Sequence, residues 1–195
     1  NASDDNGHGT HVSGIAAGKG PLVNGVAKDA SIVAVKVCNS AGSCDYTDIA
    51  SAIDYCIGSA STYNISVITM SLGDGGAYAT QADCPTDLDA EIGTATSSNI
   101  AVTVASGNSG STTGISYPAC SPTATSVGST SRDGLTISGF GERGPLLDVV
   151  APGAGILSAY LGGGYTPLTG TSMATPHVAG IAALLAQHAK LTGIP

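Results

Sequence analysis

Short runs rich in valine and isoleucine alternate along this chain with segments of helical periodicity, and this alternation most restricts how the chain can fold. The strand-like runs cover residues 30–37, 65–73, 100–105, 125–129 and 147–151. The helical patterns cover residues 8–18, 47–58, 87–96 and the segment after residue 172. Strands that are apolar throughout are typical of sheets buried on both faces, and intervening helices join such strands in parallel. The pattern therefore predicts a three-layer α/β domain with a mainly parallel central sheet flanked by helices.

The charge balance restricts the partners of such a domain. Six Lys and Arg residues stand against 14 Asp and Glu residues, which gives a net charge of -8. An acidic chain is a poor match for nucleic acid or for an anionic membrane surface. No apolar run reaches the length needed to span a bilayer. We therefore expect neither nucleic acid nor membrane among the partners.

A Gly-Thr-Ser turn near the C-terminal end leads directly into an Ala- and Leu-rich helix. This pattern places Ser172 at a helix N-terminus, and Pro176 fits a first turn because its missing N–H costs little there. The unpaired N–H groups and the positive end of the helix dipole favour a negative charge at such a position. Taken alone, however, Thr171 and Ser172 would be interpreted as ordinary N-cap residues.

Two further blocks change that interpretation. They read Asn-Gly-His-Gly-Thr-His-Val-Ser-Gly at residues 6–14 and Ala-Ser-Gly-Asn-Ser-Gly at residues 105–110. Together with the Gly-Thr-Ser block, they resemble the subtilisin-like serine proteases (the subtilase family), especially the proteinase K branch. The resemblance implies a serine endopeptidase in which Ser172 is the nucleophile and His8 the general base. It also implies that the Asn108 amide and the Ser172 N–H hold the oxyanion.

Alternative interpretations exist for each of these residues. Asn108 lies in an Asn-x-Gly sequence, which is common in simple turns. The spacing of His8 and His11 is three residues and no glutamate lies between them, so the pair does not match a metalloprotease helix. In the resemblance the second histidine is structural, and we expect His11 and His177 to be buried scaffold residues.

The resemblance also implies how a peptide substrate would bind. The family pairs extended substrate backbone with two edges, which here correspond to Gly42 and Ser43 and to Ser71, Leu72 and Gly73. Ser116 would lie near the base of the primary specificity pocket. No aspartate falls at that base, which predicts a neutral, apolar or aromatic side chain in the pocket. Asp74 follows Gly73 where a neutral residue is usual, and it either favours a basic side chain or is an exposed loop residue.

The family often binds calcium, and the corresponding ligands here are the carbonyls of Pro122 and Ala124 and the carboxylate of Asp148. A capping or turn role for Asp148 is the alternative. If calcium binds there, its role would be structural, because the chemistry itself requires no cofactor.

The five cysteines suggest an oxidising environment and a secreted or otherwise extracytoplasmic protein. Pairing four of five allows 15 arrangements, and the sequence does not choose among them. Cys38 and Cys44 could close a short glycine-containing loop, and Cys84 with Cys120 is a second plausible pair. Cys56 lies on a helix face with isoleucines and is expected to be a small core residue.

The order of catalytic residues in this family is Asp, His, Ser. Asp4 and Asp5 are too close in sequence to His8 to supply the aspartate and are interpreted as loop acids. Residues 1–195 are therefore expected to be the central and C-terminal part of one catalytic domain, without the N-terminal Asp-bearing segment and the extreme C-terminal segment. Such a fragment should be inactive by itself.

Two classes of function remain from the sequence. The chain is either part of an active, secreted endopeptidase or part of a non-catalytic relative that keeps the fold as a binding module. The joint presence of His8, Asn108 and Ser172 favours the enzyme, and the His8 block disfavours the Ser-Glu-Asp relatives of this fold. An enzyme of this kind implies polypeptide substrates, a monomer and a propeptide in the precursor.

Overall fold

The computed structural model describes residues 2–193, so Asn1, Ile194 and Pro195 of the predicted 1–195 unit lie outside the described residues. The helices are α1 (His8–Ala17), α2 (Tyr46–Gly58), α3 (Ala60–Tyr63), α4 (Asp89–Ser97) and α5 (Thr171–Thr192), with a 3-10 turn at Leu161–Gly163. The strands are β1 (Val67–Met70), β2 (Ala101–Ala105), β3 (Thr125–Thr130), β4 (Val149–Pro152), β5 (Ile156–Ala159) and β6 (Tyr165–Leu168). Each helix predicted from the sequence is present, with ends that differ by a few residues.

The central sheet is parallel, in the order β1-β2-β3-β4. Strands β2 and β3 are buried along almost their whole length, as expected for strands covered on both faces. Helices α2 and α4 share a core with β1 and β2, while α5 packs on β3 and β4 and also against α1. The predicted parallel sheet flanked by helices is therefore confirmed. Strands β5 and β6 form an antiparallel hairpin that the sequence analysis did not predict.

The prediction of a strand at residues 30–37 is wrong for the described structure. No strand of residues 2–193 pairs with this segment, and Ile32 and Val35 are 48% and 38% exposed. The segment borders a groove of about 1840 Å³, whose other walls include β1, an edge strand of the sheet, and α5. The apolar pattern is that of a buried strand, but a strand also needs a neighbour for its backbone hydrogen bonds, and none of the described segments supplies one.

Both proposed disulfides are present, Cys38–Cys44 and Cys84–Cys120. The first closes the short loop after residue 37, and the second joins two buried cysteines 36 residues apart. Cys56 is free, half-buried and packed against the main core, as predicted. Among residues 2–193, no helix combines the length and the apolar character needed to cross a membrane.

Candidate active site

Ser172 is the second residue of α5, which begins after Gly170 in an extended conformation. The side chain is half-buried, and its Oγ lies 3.5 Å from the carbonyl oxygen of Ser71 at the end of β1. In return, Ser71 Oγ donates to the carbonyl oxygen of Ser172 at 2.9 Å. The hydroxyl therefore lies where the carboxyl end of a parallel strand meets a helix N-terminus, a position at which α/β domains commonly bind ligands.

The Asn108 side chain is held beside Ser172 by Thr171. Thr171 N donates to Asn108 Oδ1 at 2.8 Å, and Thr171 Oγ1 donates to the same oxygen at 3.1 Å. Because a backbone N–H can only donate, these contacts identify the amide oxygen and leave Nδ2 on the other side of the group.

Two hydrogen-bond donors at this helix end have no acceptor within residues 2–193: Asn108 Nδ2 and Ser172 N. A point placed at the missing side-chain position of Gly170 lies 3.7 Å from each of these nitrogens. The two nitrogens thus lie near a common region at the N-terminus of α5, with the Asn108 amide oxygen 3.5 Å from the same point. A helix N-terminus adds positive potential there, so the arrangement can stabilise a negatively charged oxygen.

His8 is the first residue of α1, and Asp4 holds the start of this helix. The Asp4 carboxylate accepts hydrogen bonds from the backbone N–H groups of Asn6, Gly7 and Thr10 at 2.8–2.9 Å and from Thr10 Oγ1 at 2.6 Å. Burial opposes ionisation of Asp4, but these four hydrogen bonds together lower its pKa well below the ordinary range. Asp4 thus lies in the loop before α1, as expected of a loop acid, and in addition it caps the histidine helix, which the sequence analysis did not predict.

The backbone before His8 is also constrained by packing. Gly7 has a φ of 98°, and the Tyr160 ring lies 2.5 Å from where a Cβ would be, so any larger residue would clash. By contrast, Asp5 is exposed and pairs with Lys36 at 2.6 Å, as expected of a loop acid. Asp4, Gly7 and Tyr160 together fix the position of His8.

Burial lowers the pKa of His8, the nearby His11 lowers it further, and the charge of Asp4 partly offsets both effects. The imidazole is therefore mostly neutral at pH 7 and can accept a proton. Its ring nitrogens make no hydrogen bond to any residue of the described chain, Ser172 included. Helices α1 and α5 nevertheless pack directly on each other through Val12, Ile15 and Met173, which brings the two motifs to the same end of the domain.

The other two histidines differ in their surroundings. His11 is fully buried, with Nε2 3.0 Å from the carbonyl oxygen of Thr166, and burial lowers its pKa. His177 is half-buried rather than buried, and its Nδ1 lies 2.9 Å from the carbonyl oxygen of Met173. Both bond to backbone, which fits the scaffold role expected for them.

The structure brings together most of the residues predicted to contact substrate. Ser116 is fully buried, and its Oγ would lie 2.6 Å from a Cβ at Gly73, so the two predicted walls of the pocket touch. Ser71 and Leu72 precede Gly73 at the end of β1. Gly42 and Ser43 are exposed in the loop closed by the Cys38–Cys44 disulfide.

That loop is tied to the start of the histidine helix, because Asn6 Nδ2 donates to the carbonyl oxygen of Ser40 at 2.9 Å. The exposed groups of the loop thus lie on the same side of the domain as His8. Gly42, Ser43 and the 71–73 segment all border the groove described above.

Asp74 links the two pocket walls. Its carboxylate accepts hydrogen bonds from Gly76 N at 2.9 Å, Tyr117 N at 3.1 Å and the Tyr78 hydroxyl at 2.7 Å. The hydrogen bond to Asp74 raises the pKa of Tyr78 to about 12. The carboxylate is exposed, yet it is fully engaged in holding the loop.

Asp148, one of the residues predicted to bind calcium, is hydrogen-bonded to Ser126 in the structure. Asp148 Oδ2 accepts hydrogen bonds from Ser126 N at 2.8 Å and Ser126 Oγ at 2.9 Å, which joins the starts of β3 and β4. Asp148 Oδ1 has no partner in residues 2–193 and remains accessible to a cation. Within the same residues, no group of three or more His, Cys, Asp or Glu side chains could hold a metal ion, so a site here would need the carbonyls of Pro122 and Ala124.

Asp4 and Thr171 are the site residues whose contacts the sequence analysis did not identify. An aspartate a few residues before a helix is a recognisable capping signal, and it could have been found. The pairing of Thr171 with Asn108 joins segments 63 residues apart and has no local signal.

Comparison with known proteins places these features in a family. The sequence model of the subtilase family matches residues 1–193. Subtilisin-like protease 1 of Arthroderma gypseum is 40% identical over 191 residues, which cover 95% of this chain and 37% of that protein. Subtilisin Savinase of Lederbergia lenta is 41% identical over 186 residues, which cover 94% of this chain and 64% of that protein.

A crystal structure of a cold-adapted subtilisin-like serine proteinase superposes with a TM-score of 0.81 at 39% identity, covering 95% of this chain and 63% of that chain. The chain thus spans from about a third to about two thirds of the length of the relatives it matches. With a family match over nearly its whole length and a shared fold, the chain belongs to the subtilase family.

Proposed function

We propose that this chain is the central part of the catalytic domain of a serine endopeptidase. One observation carries the proposal. Asn108 Nδ2 and Ser172 N have no acceptor within residues 2–193, and both lie 3.7 Å from one point at the N-terminus of α5, the helix end that carries the Ser172 hydroxyl. Two donors that can reach one point are what acyl transfer requires of an oxyanion hole.

In the proposed reaction, Ser172 Oγ attacks the carbonyl carbon of the scissile peptide bond. A hydroxyl is a weak nucleophile at neutral pH, so His8 accepts its proton and later delivers that proton to the leaving amine. Asn108 Nδ2 and Ser172 N donate to the oxygen that becomes negative in the tetrahedral intermediate. Side chains and backbone amides of the protein perform these steps, and no cofactor enters them.

We further propose that an Asp-bearing strand from outside the described residues fills the groove between residues 30–37 and β1. Both walls of the groove are rich in β-branched residues, and their facing backbone groups have no ladder partner within residues 2–193. An inserted strand would satisfy these groups, and a carboxylate at its end could orient the unbonded His8 ring. Residues 1–195 expressed alone should then be inactive and poorly folded, and a soluble, cooperatively melting, active fragment would contradict this.

Polypeptides are the proposed substrates, bound in extended form along residues 42–43 and 71–73. Ser116, expected near the base of the primary specificity pocket, presents a buried hydroxyl and not a carboxylate, which supports a preference for neutral side chains. The three hydrogen bonds that Asp74 accepts support a loop-holding role over recognition of a basic side chain. Initial rates on peptides that differ only at the residue before the cleaved bond would test this preference.

The remaining proposals concern the protein's surroundings. Two disulfides support a secreted or otherwise extracytoplasmic location. We propose a structural calcium ion at Asp148, supported by its accessible second oxygen, and a monomer made from a precursor with a propeptide.

Covalent labelling of the full-length enzyme tests the proposed function. A sulfonyl fluoride should abolish peptidase activity and form one adduct, which mass spectrometry should place on Ser172. The Ser172→Ala variant should remain unlabelled, whereas Ser71→Ala, which removes the neighbouring hydroxyl, should still be labelled. An adduct on another serine in an inactivated enzyme would refute the assignment of the nucleophile.

A further inference from the structure

Glu142 is a buried acidic residue that forms no ion pair with the described part of the chain. The residue is only 1% exposed, and none of the ion pairs within residues 2–193 involves it. Its Oε1 accepts hydrogen bonds from Ser109 N at 3.2 Å and from the Ser109 hydroxyl, while Oε2 is buried and has no hydrogen-bond partner among residues 2–193. Burial of a carboxylate costs free energy unless its hydrogen bonds compensate. If this position served packing alone, a neutral side chain of similar size would stabilise the fold more.

Within residues 2–193, the hydrogen bonds of Glu142 are made to the loop that carries Asn108. Besides the Ser109 contacts, Glu142 N donates to the carbonyl oxygen of Gly107 at 3.0 Å. The Ser106 hydroxyl donates to the carbonyl oxygen of Glu142 at 2.9 Å. Residues on both sides of Asn108 are therefore bonded to this one glutamate.

The carboxylate also determines the shape of the loop. Gly107 has a φ of 113°, and the position that its Cβ would take lies 2.3 Å from Glu142 Oε2. Glycine at 107 and glutamate at 142 thus fit as a pair, and the loop turns closely around the carboxyl group. The Asn108 side chain is held through its Oδ1, which accepts hydrogen bonds from Thr171 N and Thr171 Oγ1.

We infer that Glu142 is a positioning residue, which holds the 106–109 loop so that Asn108 Nδ2 and Ser172 N face the same point. Glu142 need not touch substrate. Its carboxyl group bonds to Ser109 and packs against Gly107, its backbone bonds to Ser106 and Gly107, and Thr171 then fixes the Asn108 side chain. The inference rests on the proposed role of Asn108 in the oxyanion hole.

The test is a double-mutant cycle in the full-length enzyme, with kcat and KM measured on a peptide amide. Glu142→Ala should lower kcat by about 10- to 100-fold and change KM by less than about twofold. The reason is that a displaced Asn108 Nδ2 loses a hydrogen bond that forms mainly in the transition state. Glu142→Gln keeps an acceptor for Ser109 N and should recover most of that loss. In an Asn108→Ala background, Glu142→Ala should change kcat by less than about twofold, because the two residues act through one contact.

Controls separate positioning from general stability. Glu91 in α4 is the other glutamate of the chain and also has a buried oxygen without a partner, so Glu91→Ala should leave kcat unchanged. If Glu142→Ala does not fold, Ser109→Ala removes one of its hydrogen bonds while keeping the carboxylate, and kcat should fall by about threefold or more.

Three results would overturn the inference: an unchanged kcat in folded Glu142→Ala, an unchanged kcat in Ser109→Ala, or a full loss from Glu142→Ala in the Asn108→Ala background. An unchanged kcat in Asn108→Ala alone would instead refute the proposed oxyanion role. The two failures are therefore distinguishable.

Discussion

Removal of the Asp4 carboxylate should destabilise the histidine helix and slow catalysis together. Asp4 accepts four hydrogen bonds, two from the backbone just before α1 and two from Thr10 in its first turn, and Thr10 N has no partner inside the helix. Loss of a capping acceptor typically costs about 0.5–2 kcal/mol, and the number of donors here places Asp4→Ala near the upper end, at about 2 kcal/mol. For a domain of this size, that corresponds to a decrease in Tm of about 4–8 °C.

The catalytic effect follows from the position of His8 as the first residue of α1. Fraying of this end would spread the imidazole over several positions, so we expect kcat to fall by about 10-fold or more. The Tm and kcat of Asp4→Asn should lie between those of the wild type and of Asp4→Ala. The amide keeps one acceptor but presents a donor towards Thr10 N.

The pH dependence of Tm tests whether the negative charge of Asp4 stabilises the histidine helix. Hydrogen bonds lower the pKa of folded Asp4, so its contribution to stability is complete above the unfolded pKa of 3.8 and is lost as the pH falls below it. The Tm difference between wild type and Asp4→Asn should be constant from pH 5 to 7 and should narrow towards pH 3.

Asp5→Asn is the matched control, since it removes the adjacent carboxylate. The Asp5–Lys36 ion pair lies at the surface, with the Asp5 side chain 53% exposed, and pairs of this kind contribute about 1 kcal/mol at most. Thermal melts and kcat on a peptide amide, measured on the full-length enzyme, are the assays. If Asp4→Ala and Asp5→Asn lower Tm and kcat equally, Asp4 is not the cap described here.

Three further predictions concern other parts of the molecule. Asn108→Ala should lower kcat by roughly 10²–10³ with little change in KM, as for the corresponding donor in a subtilisin, and an unchanged kcat in a folded variant would return Asn108 to a turn role. Asp148→Asn should lower Tm in calcium and flatten the dependence of Tm on calcium concentration, whereas a wild type insensitive to calcium would rule out this site. Wild-type Tm should fall as the pH is lowered from 7 to 5, because burial lowers the pKa of folded His11 and the unfolded chain then binds more protons. The slope of Tm against pH should be shallower in His11→Gln, and equal slopes in the two proteins would exclude His11 as a cause of this pH dependence.

Local sequence patterns predicted four strands of the sheet and the major helices, and they also led to the residues proposed for the centre of the site. Alternating apolar runs and helical periodicities are properties of a few neighbouring residues, so β1 to β4 and the major helices were predicted from them. The blocks around His8, Asn108 and Ser172 likewise carry their signal within about ten residues each. The two disulfides were plausible because each cysteine pair flanks or lies in loops.

Features that depend on contacts distant in sequence were decided only by the tertiary structure. Residues 30–37 have the composition of a buried strand, but a composition cannot supply the neighbouring strand that backbone hydrogen bonding requires. Glu142 resembles any surface glutamate in sequence and is buried because it bonds to Ser109, 33 residues earlier. A hydrogen bond depends on distances of about 3 Å and on direction, and only the folded chain brings such partners together.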